Sequence, residues 1–135
     1  MLNRLTMSLA ALAAVAPVFA HAKQPLSEVP EIDDALYYIA VAKEIDDYCD
    51  RIDGRRLKAL GVIWNLKSKA NDMGYSDDEI RAYIDSDVEK ARMRARGEAY
   101  LAANGVSYEK PESFCALGRA EIDRNSAIGV YLRAN

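Results

Sequence analysis

Two cysteines constrain this chain more than any other feature. Cys49 and Cys115 are the only ones present, and they stand far apart. Whether they bond depends on the compartment, and the first residues address that. Arg4 gives a positive start, Leu5–Ala20 is an apolar run rich in Ala and Leu, and Ala20-His21-Ala22 is a small-x-small cleavage site. This is the three-part pattern of a secretory signal peptide over residues 1–22. The run is short for a membrane anchor, since a bilayer core needs roughly 20 apolar residues. No cysteine follows the cleavage site and no twin arginine precedes it, so neither a lipoprotein anchor nor twin-arginine export is indicated.

Export to the periplasm puts both thiols where disulfides persist. Two cysteines in such a chain are expected to pair with each other. The alternatives are two buried thiols or a bond between chains. Closing a loop this long stabilises a fold by roughly 4 kcal/mol in the chain-entropy picture. A catalytic redox pair is not indicated, because there is no C-x-x-C.

Cleavage after Ala22 also removes His21, the one histidine. The mature chain, a single domain over residues 23–135, then lacks the imidazole needed for Ser-His-Asp or Cys-His catalysis, His-ligated zinc or ordinary haem ligation. There is no glycine-rich phosphate loop and no cofactor motif, so no cofactor is expected. A net charge of −3 gives none of the basic excess that nucleic-acid binding needs. Cleavage would leave no stable membrane anchor.

Hydrophobic spacing in the mature chain reads as helices. Pro30 opens the first, with acids in its first turn, where the helix dipole favours them. Tyr38, Val41, Ile45, Tyr48 and Ile52 recur at three and four, with Cys49 on the same broad face. Asp53-Gly54 is a joint; one bent helix is the alternative. A second helix over 55–73 carries two apolar stripes, one of Ala59, Ile63, Leu66, Ala70 and Met73, the other of Leu57, Leu60 and Trp64. A helix apolar on two sides is expected to be sandwiched. Gly74 can take a left-handed terminating conformation. Ser76 and Glu79 form a capping box and Tyr75 and Ile80 a hydrophobic staple for a third helix, which is expected to run to about Ala103. Pro111 starts a fourth, expected to carry Phe114, Leu117, Ile128 and Leu132 on one face. The expectation is an all-α antiparallel bundle of about four helices. In an up-down-up-down order, the end of the first helix meets the start of the last, which is where the cysteines fall.

Several polar clusters are candidate sites. Asp46, Asp50 and Asp53 share a helix face near its C-terminal end, where the dipole disfavours acids. They could form a weak divalent-cation site, or simply pair with Arg51, Arg55 and Arg56. The spacing is not that of an EF-hand, and no dedicated metal site is expected. Arg119, Glu121 and Asn125 lie in the most polar part of the fourth helix, with Glu121 and Asn125 near its apolar face. A buried polar group needs a partner, so the cluster is either a structural network or the floor of a pocket. Arg92 and Arg96 share a face, with Asp87, Glu89 and Glu98 in reach, so they belong either to a solvated, salt-bridged helix or to an anion-binding patch. Tyr37, Tyr38, Tyr48 and Tyr131 could supply an aromatic surface, and core or half-core packing explains them equally well.

The segments Val29–Asp34, Gly74–Ile80, Glu89–Leu101 and Phe114–Arg119, together with the signal peptide, resemble a family of small exported two-cysteine proteins of alphaproteobacteria that is described only as a domain of unknown function. The resemblance implies a periplasmic location and supplies no activity, cofactor or catalytic residue. The leading functional expectation is a non-enzymatic periplasmic protein that binds a protein or small ligand. A carboxylate-based hydrolase with Glu121 as the acid is one alternative; a structural or stress-protective protein without a ligand site is the other. An exposed apolar groove would favour the first, and a deep pocket with two acids the second.

Overall fold

The computed structural model describes residues 23–135 as a continuous chain, and Pro17 before it. The expected signal peptide, apart from Pro17, and His21 lie outside the described residues. After a short 3-10 turn at Leu26–Glu28, helix α1 spans Pro30–Tyr48, with Pro30 in its first turn and Glu31 and Asp33 beside it. It is followed by strand β1 (Ile52–Gly54), α2 (Arg56–Asp72), α3 (Asp77–Asp85), α4 (Asp87–Ala103), α5 (Pro111–Asp123), a 3-10 turn at Gly129–Tyr131 and β2 (Leu132–Ala134).

Ion pairs fix the helix directions. Lys69 meets Glu31 at 2.5 Å and Arg56 meets Asp46 at 3.1 Å, so α2 runs back along α1. Arg96 meets Asp34 at 2.7 Å near the start of α1, and past the end of α4 the Tyr108 hydroxyl donates to Glu44 at 2.8 Å. α4 therefore runs parallel to α1. The Cys49–Cys115 disulfide, with a Cα–Cα distance of 5.2 Å, and the close approach of Gly118 to Ile45 set α5 antiparallel to α1. α1, α2, α4 and α5 thus alternate in direction, an order compatible with the cysteine positions, although there are five helices rather than four.

Helix α1 is the centre of the molecule and serves two cores. On one side Tyr37, Val41, Ala42 and Ile45 pack with Leu101, Phe114 and Leu117 and with Ile128, Tyr131 and Leu132 of the C-terminal segment. On the other, Ile32 packs with Leu26, Ala70, Tyr75 and Ile80. This is not one bundle core shared by four helices. α2 and α3 cover one flank of α1, while α4 and α5 cover the other.

The fold departs from the all-α expectation at four places. Helix α1 stops at Tyr48; Cys49 is already extended (φ −126°, ψ 108°), and Ile52 enters β1 rather than a last helical turn. β1 pairs antiparallel with β2, Ile52 opposite Ala134 and Gly54 opposite Leu132, so the two ends of the tied loop are also stitched by a small sheet. The expected third helix is two helices, because Ser86 interrupts it and its hydroxyl accepts the Glu89 N–H at 3.2 Å as the cap of α4. Finally, α5 ends at Asp123, and Asn125 takes a left-handed φ of 49°, which Asn tolerates better than most residues. Ile128 and Leu132 are buried as expected, but by a turn and a strand that fold back on α5.

The joint between α2 and α3 follows the expected chemistry. Gly74 has φ 95°, and the Tyr75 N–H donates to Ala70 O at 3.0 Å. The Ser76 hydroxyl accepts from the Glu79 N–H at 3.1 Å, while the Glu79 carboxylate accepts from the Ser76 N–H at 2.7 Å. Tyr75 and Ile80 are both buried beside it. Substituting Ser76→Ala should cost about 1 kcal/mol, read as a lower urea midpoint with an unchanged slope.

Candidate functional site

The two apolar stripes of α2 meet different fates. Ala59, Leu66 and Ala70 face the body of the protein, and Ala70 is fully covered. The other stripe is uncovered: Leu57 is 86 % exposed, Leu60 49 % and Trp64 62 %. The expected sandwich is therefore half made, since α1 and α3 pack against one side of α2 and no described element covers the other. Ile63 sits between the stripes at the edge.

Between α2, α1 and α3 this leaves an apolar hollow of about 170 Å³. Its walls are Ile32 and Leu36 of α1, Leu60, Ile63 and Trp64 of α2, and Ile80 and Ile84 of α3. It continues along the α1–α2 seam past Ile39 and Ala42 into a wider cleft that shares Leu60 and Ile63 and is bordered by Lys43, Asp46 and Arg56. Ile84, at the far wall, is itself 51 % exposed. The result is one apolar groove with α2 as its outer lip. Single exposed apolar residues are ordinary, whereas a contiguous set lining a hollow marks an interaction surface.

Charge is distributed unevenly around the groove. From Arg55 to Lys69 there are five basic residues and no acid; from Asp77 to Glu89 there are six acids and one base. The charged residues that line the groove itself are Lys43, Asp46, Asp47, Arg55, Arg56 and Lys67, so its border carries both signs. Lys67 reaches across to Asp77 at 3.7 Å, but Asp85 and Asp87 meet no basic partner among the described residues.

The polar clusters expected from the sequence fall elsewhere. Glu121 is 1 % exposed and accepts from the Tyr100 and Ser126 hydroxyls and from Arg124 at 2.6 Å. Arg119 and Asn125 are exposed, and no hydrogen bond joins either to Glu121. Asn125 lies away from the cluster because α5 ends before it. Tyr100, Arg124 and Ser126 take the places given to Arg119 and Asn125. The three aspartates are not gathered either. Asp46 pairs with Arg56, Asp53 accepts from Asn135 at 2.9 Å and lies 3.8 Å from Arg133, and Asp50 is at the surface. No group of three or more His, Cys, Asp or Glu side chains among the described residues is placed to hold a metal ion.

Arg92 and Arg96 do share a face, and they use it to grip α1. Both pair with the buried Asp33, which also accepts from the Tyr83 hydroxyl at 2.6 Å, and Arg96 lies 3.8 Å from the Tyr37 ring centroid. The tyrosines form no common surface. Tyr37 and Tyr131 are buried, while Tyr48 stacks on Phe114 at 4.8 Å with Tyr108 alongside.

Five of the eight tyrosines are pushed above their ordinary pKa, each chiefly by burial. Tyr108 rises to about 12, with the Glu44 carboxylate adding to the effect of burial. Tyr83 and Tyr100 gain likewise from Asp33 and Glu121. A raised folded-state pKa means stability that is complete below the unfolded value and lost as pH climbs through the folded one. Absorbance titration should therefore show Tyr37, Tyr83, Tyr100, Tyr108 and Tyr131 ionising later than free tyrosine. Stability should fall from about pH 10 upward, where unfolded tyrosine ionises. A full eight-tyrosine transition at the free-tyrosine pH in folded protein would contradict the packing.

Fold and groove together define a small, mostly helical protein closed by one internal disulfide, with an apolar groove on one flank. None of its described helices is long and apolar enough to cross a membrane. The chain belongs to a family of unknown function, DUF5333, which matches it over residues 24–133. No curated protein and no solved structure matches it.

Proposed function

We infer that this is an exported, periplasmic, non-enzymatic interaction protein that docks a partner in the groove between α1, α2 and α3. The observation that carries the reading is that Leu60 and Trp64, about half or more exposed, form the lip of an apolar hollow, with Leu57 exposed one turn earlier on α2. Tryptophan is among the residues most enriched at interaction hot spots, which sit in pockets. Export is supported by the N-terminal pattern, by a disulfide compatible with an oxidising compartment, and by a family match that begins at residue 24. The hydrolase alternative draws no support from Glu121, whose carboxylate is sealed among three partners.

A photo-crosslinking side chain placed at Leu57 in the exported protein tests the reading in living cells. An adduct is expected from Leu57, and none from a control at Glu98 on the opposite side of α1. The Trp64→Ser change should abolish the adduct while shifting stability by no more than about 0.5 kcal/mol, as for an exposed site. Equal yields from Leu57 and Glu98 would end the proposal.

A further inference from the structure

On the flank of α1 that faces α4, the two helices leave a second cleft, of about 340 Å³. That size falls at the small end of the range of about 300–1,000 Å³ for ligand sites. Glu44 and Tyr48 line it from α1, Arg94, Gly97 and Glu98 from α4, and Tyr108 from the turn at 104–110. Glu44 and Tyr48 are four residues apart, as are Arg94 and Glu98, so each pair lies on one face of its helix.

Arg94 and Glu98 take no part in holding the fold. Arg92 and Arg96, on either side of Arg94 in the chain, are gripped by Asp33, Asp34 and Glu89. Arg94 and Glu98 form no ion pair and no side-chain hydrogen bond among the described residues. Glu44 accepts from the Tyr108 hydroxyl at 2.8 Å through one oxygen, and its second oxygen meets no donor among the described residues. Burial first, and then Glu44 and Glu98, push Tyr108 up to about 12, so both acids stand at the tyrosine end of the cleft. Arg94 stands one helical turn from Glu98, about 6 Å along the axis. Tyr48 stacks on Phe114 at 4.8 Å and meets Tyr108 edge-on at 5.0 Å, which fixes the aromatic wall in advance, while each ring keeps part of its surface exposed. Gly97 lies inside α4, where glycine costs stability relative to alanine. Packing does not require it, because a Cβ there would meet only Val41 Cγ2 beyond its immediate neighbours, at an ordinary 3.8 Å. What the glycine provides is a floor without a side chain, beside Glu98.

We propose that this cleft binds a free amino acid with an apolar or aromatic side chain, its carboxylate on Arg94, its ammonium at Glu44 and Glu98 and its side chain against Tyr48 and Tyr108. An unpartnered guanidinium matches a carboxylate through two parallel N–H donors. Two carboxylates beside aromatic rings match an ammonium, which the rings attract as well. An anionic ligand would face both acids and a cationic one would face Arg94, so a single molecule of both signs satisfies all three groups. The site uses none of the residues of the docking groove and does not depend on that reading.

Isothermal titration calorimetry on the purified protein tests this with L-phenylalanine, with phenethylamine, which lacks the carboxylate, and with 3-phenylpropanoate, which lacks the ammonium. Phenylalanine should bind, and each analogue should bind roughly tenfold or more weakly, the effect of losing a hydrogen bond between charged groups. Arg94→Gln should weaken phenylalanine by a similar factor and phenethylamine not at all. Glu98→Gln should weaken phenylalanine and leave 3-phenylpropanoate no weaker. Both residues are exposed and unpaired, so circular dichroism melts of these variants should match the wild type. Gly97→Ala should raise the melting temperature while weakening phenylalanine, and the opposite signs separate loss of the cleft from loss of the fold. Neither heat nor a melting shift from phenylalanine or leucine at millimolar concentration would refute the proposal. Phenethylamine binding as tightly as phenylalanine would also refute it and make the cleft a site for organic cations. Phenylalanine binding that survives all three substitutions would place the ligand elsewhere and overturn the assignment. Crosslinking at Leu57 reads another flank of the molecule, so neither result decides the other.

Discussion

Replacing both Cys49 and Cys115 with alanine is expected to cost about 4 kcal/mol and to lower the melting temperature by about 20 °C. The cross-link closes a loop with a sequence separation of 66 residues, and most of its effect lies in restricting the unfolded chain. The native state gives a second contribution. Both sulfurs are buried at the join of α1, β1 and α5, where Ile45, Ile52 and Phe114 also meet, so removing them leaves a gap beneath the small sheet. Thermal unfolding of the oxidised protein, the reduced protein and the double variant would check this. The reduced protein should melt well below the oxidised form and the double variant lower still, because only the variant leaves the gap, and intact mass should show the oxidised chain two hydrogen atoms lighter. A reduced protein that melts within a few degrees of the oxidised one would show that the two ends of the domain hold together without the bond.

What could be read from the chain in advance was whatever is written locally. The capping box at Ser76 and Glu79 and the proline at the start of α5 involve groups within a few residues of one another, so their chemistry is visible in one dimension. The break at Ser86 was written in the same code, since Ser86 and Glu89 repeat the spacing of Ser76 and Glu79. It was hidden because Ile80, Ile84 and Val88 keep a four-residue spacing straight through it. The C-terminal segment misled in the same way. Ile128 and Leu132 are spaced for a helix and are buried, yet a turn at Asn125 delivers them to the core from the opposite direction.

The site follows the same division. Two apolar stripes on α2 were legible, and so was the need for each to find cover. Which stripe would be covered was not legible, because that depends on where α1 and α3 lie around α2, a choice made by the whole fold. The polar cluster around Glu121 shows the converse. Its centre could be picked out by periodicity, but Tyr100 comes from another helix and Ser126 from beyond the turn, and neither position has a local signature.

That turn is the basis of the second large effect. Gly129→Ala is expected to cost about 3 kcal/mol or more, beyond the ordinary range for one methyl added to a core. The Ser126 N–H donates to Glu121 O at 3.2 Å, and the Gly129 N–H donates to the Ser126 hydroxyl at 2.9 Å, which draws the chain tightly over the last turn of α5. A Cβ at 129 would overlap the carbonyl carbon and oxygen of Glu121 and stand 2.9 Å from Ile122 N. Those are backbone atoms of a helix, so no rotamer change relieves the clash. The segment would have to lift, taking Tyr131 and Leu132 out of the core and β2 away from β1. Alanine is also the better helix former, by up to about 1 kcal/mol, so the change favours the competing arrangement in which α5 simply continues. Gly61→Ala is the matched control. Its Cβ would meet nothing within 4 Å on the exposed side of α2, and helix propensity alone should raise stability there. Urea unfolding should therefore move the two midpoints in opposite directions. Equal, small shifts would mean that the chain after Asn125 does not press on α5, and with it would go the packing that seals Glu121.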